Sequence, residues 1–165
     1  MSEMTSSGSA KVTLPTDEQI LITREFDAPR HLVFRAYTEP DLVSRWWPGR
    51  RGEMQVCEID LRPGGAWRYA MVAEGGFEVA FHGEYREVVP GEKVVFTEIY
   101  EMPDGTLSEA TLNTATFTEA GGRTTLELLT ETSSKDVRDT ILASGMEGGV
   151  QEGLDILEEL AIAGA

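Results

Sequence analysis

Two polar side chains stand where the sequence otherwise alternates apolar residues. In Val94-Val95-Phe96-Thr97-Glu98-Ile99-Tyr100, Glu98 shares its parity with Phe96 and Tyr100. In Thr111-Leu112-Asn113-Thr114-Ala115-Thr116-Phe117, Asn113 shares its parity with Ala115 and Phe117. A carboxylate drawn into an apolar interior is costly unless paired, and it answers with a raised pKa. Glu98 is therefore a candidate general acid or base, or a ligand anchor, and Asn113 a candidate donor to a ligand carbonyl. A one-residue bulge in either strand would instead turn both to solvent.

Other reactive residue types are sparse. His82 has the opposite parity to Phe81 and Gly83 and reads as a surface imidazole, with no Ser or Cys placed in a motif that would pair with it. Cys57 shares parity with Ile59 and reads as a small buried hydrophobe, with no neighbouring cation to lower its pKa. A single cysteine excludes an intramolecular disulfide and a Cys-rich zinc cluster. His31 and His82 lack metal-ligand spacing, so neither metal nor cofactor is expected. No phosphate-cradling glycine motif occurs, and the Gly-Gly pairs fall in turn contexts. Arg62 is a turn residue with the option of reaching an anionic ligand group.

The elements that would position these residues follow from periodicity. Gln19 to Phe26 reads as a strand, followed by a short helix over Arg30 to Tyr37 with Asp27 able to cap it and Pro29 at its start. Thr38 then reads as the N-cap of a second helix through Leu42, Val43 and Trp46, which stops at Trp47-Pro48-Gly49. Six period-two segments follow, over 54–61, 66–72, 77–89, 93–100, 109–118 and 123–132, each separated by Gly- or Pro-containing turns. That is an antiparallel meander, and with the first strand it makes a seven-stranded sheet.

The last thirty or so residues return to helical spacing. Ser133-Ser134 can cap a first helix, and Gly145 marks a break. Met146, Val150, Leu154 and Leu157 then form one apolar face. Gly148, Gly149 and Gly153 weaken this helix by ~1 kcal/mol each relative to Ala, which makes sense if it lies close against a curved sheet. Residues 1–16, rich in Ser, Thr and Gly, read as a disordered tail, and residues 17–165 as a single domain.

A curved sheet must hide its apolar face, and the long terminal helix is the element able to cover it. Because helix and sheet would touch mostly at their ends, a cavity between them is plausible. Its expected lining comes from parity. Trp67, Tyr69 and Met71 share one face, which Phe81, Tyr85 and Phe96 continue toward Glu98 and Asn113. Met146, Val150 and Leu154 face them from the helix. Trp46-Trp47 either clamps the short helices to the sheet or sets one indole at the cavity mouth, beside a movable loop over Gly49 to Gly52. Such a lining suits a flat or flexible apolar ligand, although the same residues packed together would simply fill a core.

Composition narrows the function classes. The 165 residues carry 29 acids against 14 Lys and Arg, a net charge of −15. That field repels nucleic-acid phosphates and anionic lipid headgroups. No run approaches the ~18 apolar residues of a membrane span, and no secretory leader is recognised at the N-terminus. A cytoplasmic protein is expected. Glu147, Glu152, Glu158 and Glu159 read as a solvated helix face.

Phe26-Asp27-Ala28-Pro29, Tyr37-Thr38-Glu39-Pro40 and Trp46-Trp47-Pro48-Gly49 resemble the opening of the activator of heat-shock protein 90 ATPase homologue family. Asp60-Leu61-Arg62-Pro63-Gly64-Gly65-Ala66-Trp67-Arg68 is similar to its central turn. Phe81-His82-Gly83-Glu84-Tyr85, Val95-Phe96-Thr97-Glu98 and Ser144-Gly145-Met146-Glu147-Gly148-Gly149 follow in the family's order. The resemblance spans Ile20 to Ala163. It implies the helix-grip fold of the START-like (SRPBCC) superfamily, an α+β architecture whose members typically hold a small hydrophobic molecule under the C-terminal helix. Binding of a small hydrophobic or aromatic ligand is the leading expectation. The alternatives are an enzyme similar to polyketide aromatase/cyclases, using pocket polar groups, and a co-chaperone-like module docking on a protein partner. Either a monomer or a homodimer fits.

Overall fold

The computed structural model describes residues 10–50, 52–144 and 146–164. Strand β1 (Lys11–Thr13) and strand β2 (Gln19–Phe26) lead into helices α1 (Arg30–Thr38) and α2 (Pro40–Trp46). The meander follows as β3 (Gly52–Ile59), β4 (Ala66–Ala73), β5 (Glu78–Val89), β6 (Lys93–Glu101), β7 (Thr111–Ala120) and β8 (Arg123–Glu131). Helices α3 (Lys135–Ala143) and α4 (Met146–Ala163) complete the chain. The strands form one sheet in the order β1-β2-β8-β7-β6-β5-β4-β3, antiparallel throughout. An α+β chain with a long C-terminal helix laid over an antiparallel sheet is consistent with the helix-grip arrangement.

The sheet has eight strands rather than seven, and the extra one lies in the expected tail. Residues 1–9 are outside the described residues, but β1 pairs Lys11–Thr13 with Thr23–Leu21 of β2. Three residues carry no usable periodicity, and this strand is fixed from far away. The Gln151 side chain on α4 accepts from the Ala10 N–H at 2.9 Å and donates to its carbonyl at 2.7 Å, mimicking a ladder partner. Arg138 on α3 holds the Thr16 carbonyl at 2.7 Å.

The helix starts also differ in detail. Thr38 is the last residue of α1, where its hydroxyl donates back to the Phe34 carbonyl at 2.7 Å, and Glu39 occupies the N-cap of α2. The N-cap of α1 is Pro29, two residues past Asp27, and no side chain caps it; the Asp27 backbone N–H donates to Glu158 on α4 at 2.8 Å, and the Asp27 carboxylate lies 3.5 Å from Arg123. Ser134 caps α3 as expected, accepting from the Val137 N–H at 3.2 Å. The break expected at Gly145 falls outside the described residues, between α3 and α4.

On β2 the buried residues alternate strictly: Ile20, Ile22, Arg24 and Phe26. Arg24 is fully buried, paired with Asp155 at 2.9 Å and Glu158 at 2.8 Å on α4, with its guanidinium 4.9 Å from the Phe26 ring centre. Glu158, expected in a solvated face, is thus an anchor of α4, and Glu159 reaches Arg50 at 3.4 Å. Leu154, Leu157 and Ala161 are buried on the apolar side of α4. The close backbone neighbours of α4 are α1, α2 and α3 rather than the sheet. Of its glycines only Gly153 makes a close approach, and it does so to α2: a Cβ there would meet the Trp46 carbonyl at 3.0 Å, whereas Gly148 and Gly149 face open space. The helix therefore rests on α1 and α2, is tied to β2 through Arg24, and stands off the rest of the sheet.

Candidate functional site

The gap between α4 and the sheet is a cavity of about 980 Å3, partly open to solvent. The curved β4–β6 surface supplies one wall. The rings touch in sequence, with Trp47 from the end of α2 joining those of the sheet: Tyr100 lies 5.1 Å from Phe81, Phe81 lies 5.8 Å from Trp47, and Trp47 lies 5.3 Å from Tyr69. The run continues from Tyr69 to Trp67 at 4.7 Å, to Phe96 at 5.9 Å and to Tyr85 at 6.4 Å. Tilted and edge-on contacts of this kind stabilise one another beyond area burial. On the opposite side, Gly149 and Gly153 are one turn apart and both line the cavity, so part of the helix face there carries no side chain.

The residues expected from parity all line this space. Trp67, Tyr69 and Met71 come from β4, Phe81 and Tyr85 from β5, and Phe96 and Glu98 from β6. Asn113 is on β7, and Met146, Val150 and Leu154 are on α4. The register explains this placement. Phe81 pairs with Tyr100 and Tyr85 with Phe96, while the irregularity of β5 falls after Tyr85, so the inner parity survives as far as Tyr100.

The Trp46-Trp47 alternatives divide between the two indoles. Trp46 is buried, donates to the Ala36 carbonyl at 2.7 Å and stacks on Tyr37 at 5.6 Å, which fixes α1 to α2. Its edge still lines the cavity, and Trp47 joins the ring wall. The loop after it is tied to α4: the Arg50 N–H donates to Glu152 Oε1 at 2.8 Å, so Glu152 is also removed from the expected solvated face.

Asn113 and Glu98 prove chemically unlike. Asn113 is 3% exposed, and its amide donates to Thr111 at 3.0 Å while accepting from Thr130 at 2.7 Å. This cross-strand chain stiffens β7 against β8. The Glu98 carboxylate has no hydrogen-bond or ion-pair partner among the described residues, and burial alone raises its pKa from 4.5 to about 7. Its charge also adds to the rise in the Tyr37 and Tyr69 phenol pKa values, both driven first by burial. Tyr37, on α1, also lines the cavity and thereby belongs to the same polar corner.

The remaining candidates lie apart. Cys57 pairs with Tyr69 on the inner face but lies outside the cavity lining, and burial raises its thiol pKa. Arg62 is held by Asp60 at 2.9 Å in the β3–β4 turn. On the outer face His82 Nδ1 lies 2.8 Å from Glu101, which also accepts two hydrogen bonds from Arg68. Among the described residues no group of three His, Cys, Asp or Glu side chains is placed to hold a metal, and no helix is long and apolar enough to cross a membrane.

An antiparallel sheet, a terminal helix with a gap between it and part of that sheet, and an aromatic wall along the gap define a cavity-bearing α+β class of domain. The Activator of Hsp90 ATPase homolog 1-like protein family matches residues 27–161, and the chain belongs to that family. No curated protein matches it. Among solved structures, the Mycobacterium smegmatis protein Ms6760 is 25% identical, with a TM-score of 0.83, covering 94% of this chain and 98% of that one. A Chromobacterium violaceum protein, CV1439, is 27% identical with a TM-score of 0.73, over 88% and 98% of the two chains. A Rhodobacter sphaeroides protein shares the fold at 21% identity and a TM-score of 0.85, over 93% and 98%.

Proposed function

We propose that the protein binds a small hydrophobic or aromatic molecule in the cavity between its sheet and α4, as a single START-like domain in the cytoplasm. The observation that carries this reading is the unfilled volume of about 980 Å3 behind a continuous wall of rings. Protein interiors pack to near-crystalline density and leave few voids larger than water, so a space this large runs against ordinary packing. Its size falls in the roughly 300–1,000 Å3 range of small-molecule pockets. A docking module would have no need of it.

One observation favours a second reading, an enzyme similar to aromatase/cyclases. A carboxyl held at about 7 is matched to proton transfer near neutrality. Asn113, however, is engaged by Thr111 and Thr130, and among the described residues no side chain orients Glu98. Binding is the function this geometry supports best.

Native mass spectrometry of freshly purified protein, followed by titration with a hydrophobic fluorescent dye, tests the proposal. A co-purified small molecule, or saturable dye binding that the molecule displaces, is expected. Protein that is consistently empty and also fails to take up dye would sink it.

A further inference from the structure

Among the described residues that line the cavity, the charged side chains are all acidic. They are Glu98, Glu109, Asp136 and Glu152, and no Lys, Arg or His side chain joins them. Glu152 is committed to the Arg50 N–H, and Glu109 and Asp136 are exposed toward solvent. Glu98 alone combines an inward position on the ring wall with an uncommitted carboxylate.

We propose that the cavity selects cationic amphiphiles, molecules with an apolar or aromatic body and a protonated amine that pairs with Glu98. This rests on the ligand-binding reading above and adds the sign of the ligand's polar group. An anionic headgroup, such as a fatty-acid carboxylate, would have to be desolvated beside Glu98 with no lining cation to receive it, an arrangement that is strongly penalised. A cation finds the opposite. Glu98 supplies the counter-charge, and Phe96 and Tyr100, on the same face of the same strand, are aromatic lining residues of the kind that attracts ammonium groups. Tyr37 and Tyr69 add phenolic oxygens in the same corner. The overall charge of −15 draws cations toward the opening and repels anions. Placing the amine at Glu98 leaves the Met146–Leu154 side of the cavity for the apolar body.

Octylamine, octanol and octanoate share one body and differ in charge, so calorimetric titration with each separates charge selection from hydrophobic binding. At about pH 8 Glu98 is ionised and the amine protonated. Octylamine is expected to bind at least about 10-fold more tightly than octanol, and octanoate more weakly than octanol. In Glu98→Gln the advantage of octylamine over octanol is expected to fall to within about 3-fold, with a native circular dichroism spectrum. If octanol binds but octylamine is no tighter, or octanoate is the tightest, charge selection is wrong while the cavity remains a binding site. If the full amine advantage persists in Glu98→Gln, the pairing with Glu98 is wrong. If none of the three binds, the ligand-binding reading itself fails, and this one with it.

Discussion

The Trp67 indole lies across Gly83: its Nε1 stands 2.7 Å from the point a Cβ at residue 83 would occupy, and it donates to the Thr97 carbonyl at 3.1 Å. A side chain on β4 thus reaches over β5 to the backbone of β6, because the middle strand has no side chain in the way. The hydrogen bond satisfies a donor that would otherwise be buried unpaired. It also sets the ring edge-on to Phe96, at 88°. The cavity wall is therefore held by an absent atom as much as by the rings.

Gly83→Ala should consequently behave as a core overpacking mutation despite its small size. The added methyl would collide with the Thr97 carbonyl as well as with the indole. A loss of about 1–3 kcal/mol is expected, with the melting temperature falling by about 2–4 °C per kcal/mol. Trp67 must also swing away, so tryptophan fluorescence and near-ultraviolet circular dichroism should change. An unchanged melting curve with an unchanged tryptophan signal would show that the indole does not cross residue 83.

Gly149 gives the opposite expectation. A Cβ there meets nothing within 4 Å, and the position lines the cavity. Gly149→Leu removes a helix-interior glycine, a gain of roughly 1 kcal/mol, and directs a branched side chain into the ligand space. The variant should melt higher and bind a hydrophobic dye less tightly than the parent. Higher stability with undiminished dye uptake would mean that the dye binds elsewhere.

What was legible in the sequence was local. Two-residue alternation across Trp67-Tyr69-Met71 and Phe96-Glu98-Tyr100 depends only on strand geometry, and glycine-rich turns bound each strand, so the inner face could be read directly. The arrangement of Trp46 and Trp47 could not, because a helix end next to Pro48-Gly49 has no period to say which indole turns inward. β1 stayed hidden because its clamp, Gln151, lies 141 residues away. Arg24 was half-visible. Its parity with Ile20, Ile22 and Phe26 places a charge on a buried face, but its partners, Asp155 and Glu158, are named only by the docking of α4.

The buried Arg24 guanidinium, paired with the nearly buried Glu158 and the half-exposed Asp155, yields a prediction about how α4 is held. Removing one partner of a buried pair strands the other charge, at a cost of about 3–5 kcal/mol. Arg24→Ala should therefore destabilise the fold by about that amount in denaturant titrations. Arg24→Met combined with Asp155→Leu and Glu158→Leu should recover much of the loss, since apolar replacements of matching volume often equal a buried ion pair. A cost below about 1 kcal/mol for the single variant would indicate a solvated pair of the weak surface kind.

Glu98 makes stability depend on pH in a direction opposite to most carboxylates. Its pKa rises from an ordinary 4.5 to about 7 in the fold, with burial as the cause. Between those values the folded protein keeps a proton that the unfolded chain releases. Stability should then fall as pH rises from about 4.5 through about 7, and level off above. Full expression of that shift is worth about 3 kcal/mol, less to the extent that solvent enters the partly open cavity. Glu101 on the outer face works in the other sense. Arg68 first, then His82, hold its carboxyl down at about 2, so its contribution is present above 4.5 and is lost as pH falls toward 2. Because Glu101 is common to both proteins, the difference between Glu98→Gln and the parent isolates the inner carboxyl. That difference should be near zero at about pH 4 and grow to about 1–3 kcal/mol in favour of the variant by about pH 8. A difference that stays flat across this range would place the Glu98 carboxylate in solvent, and with it would go the reason for treating this residue as the polar anchor of the cavity.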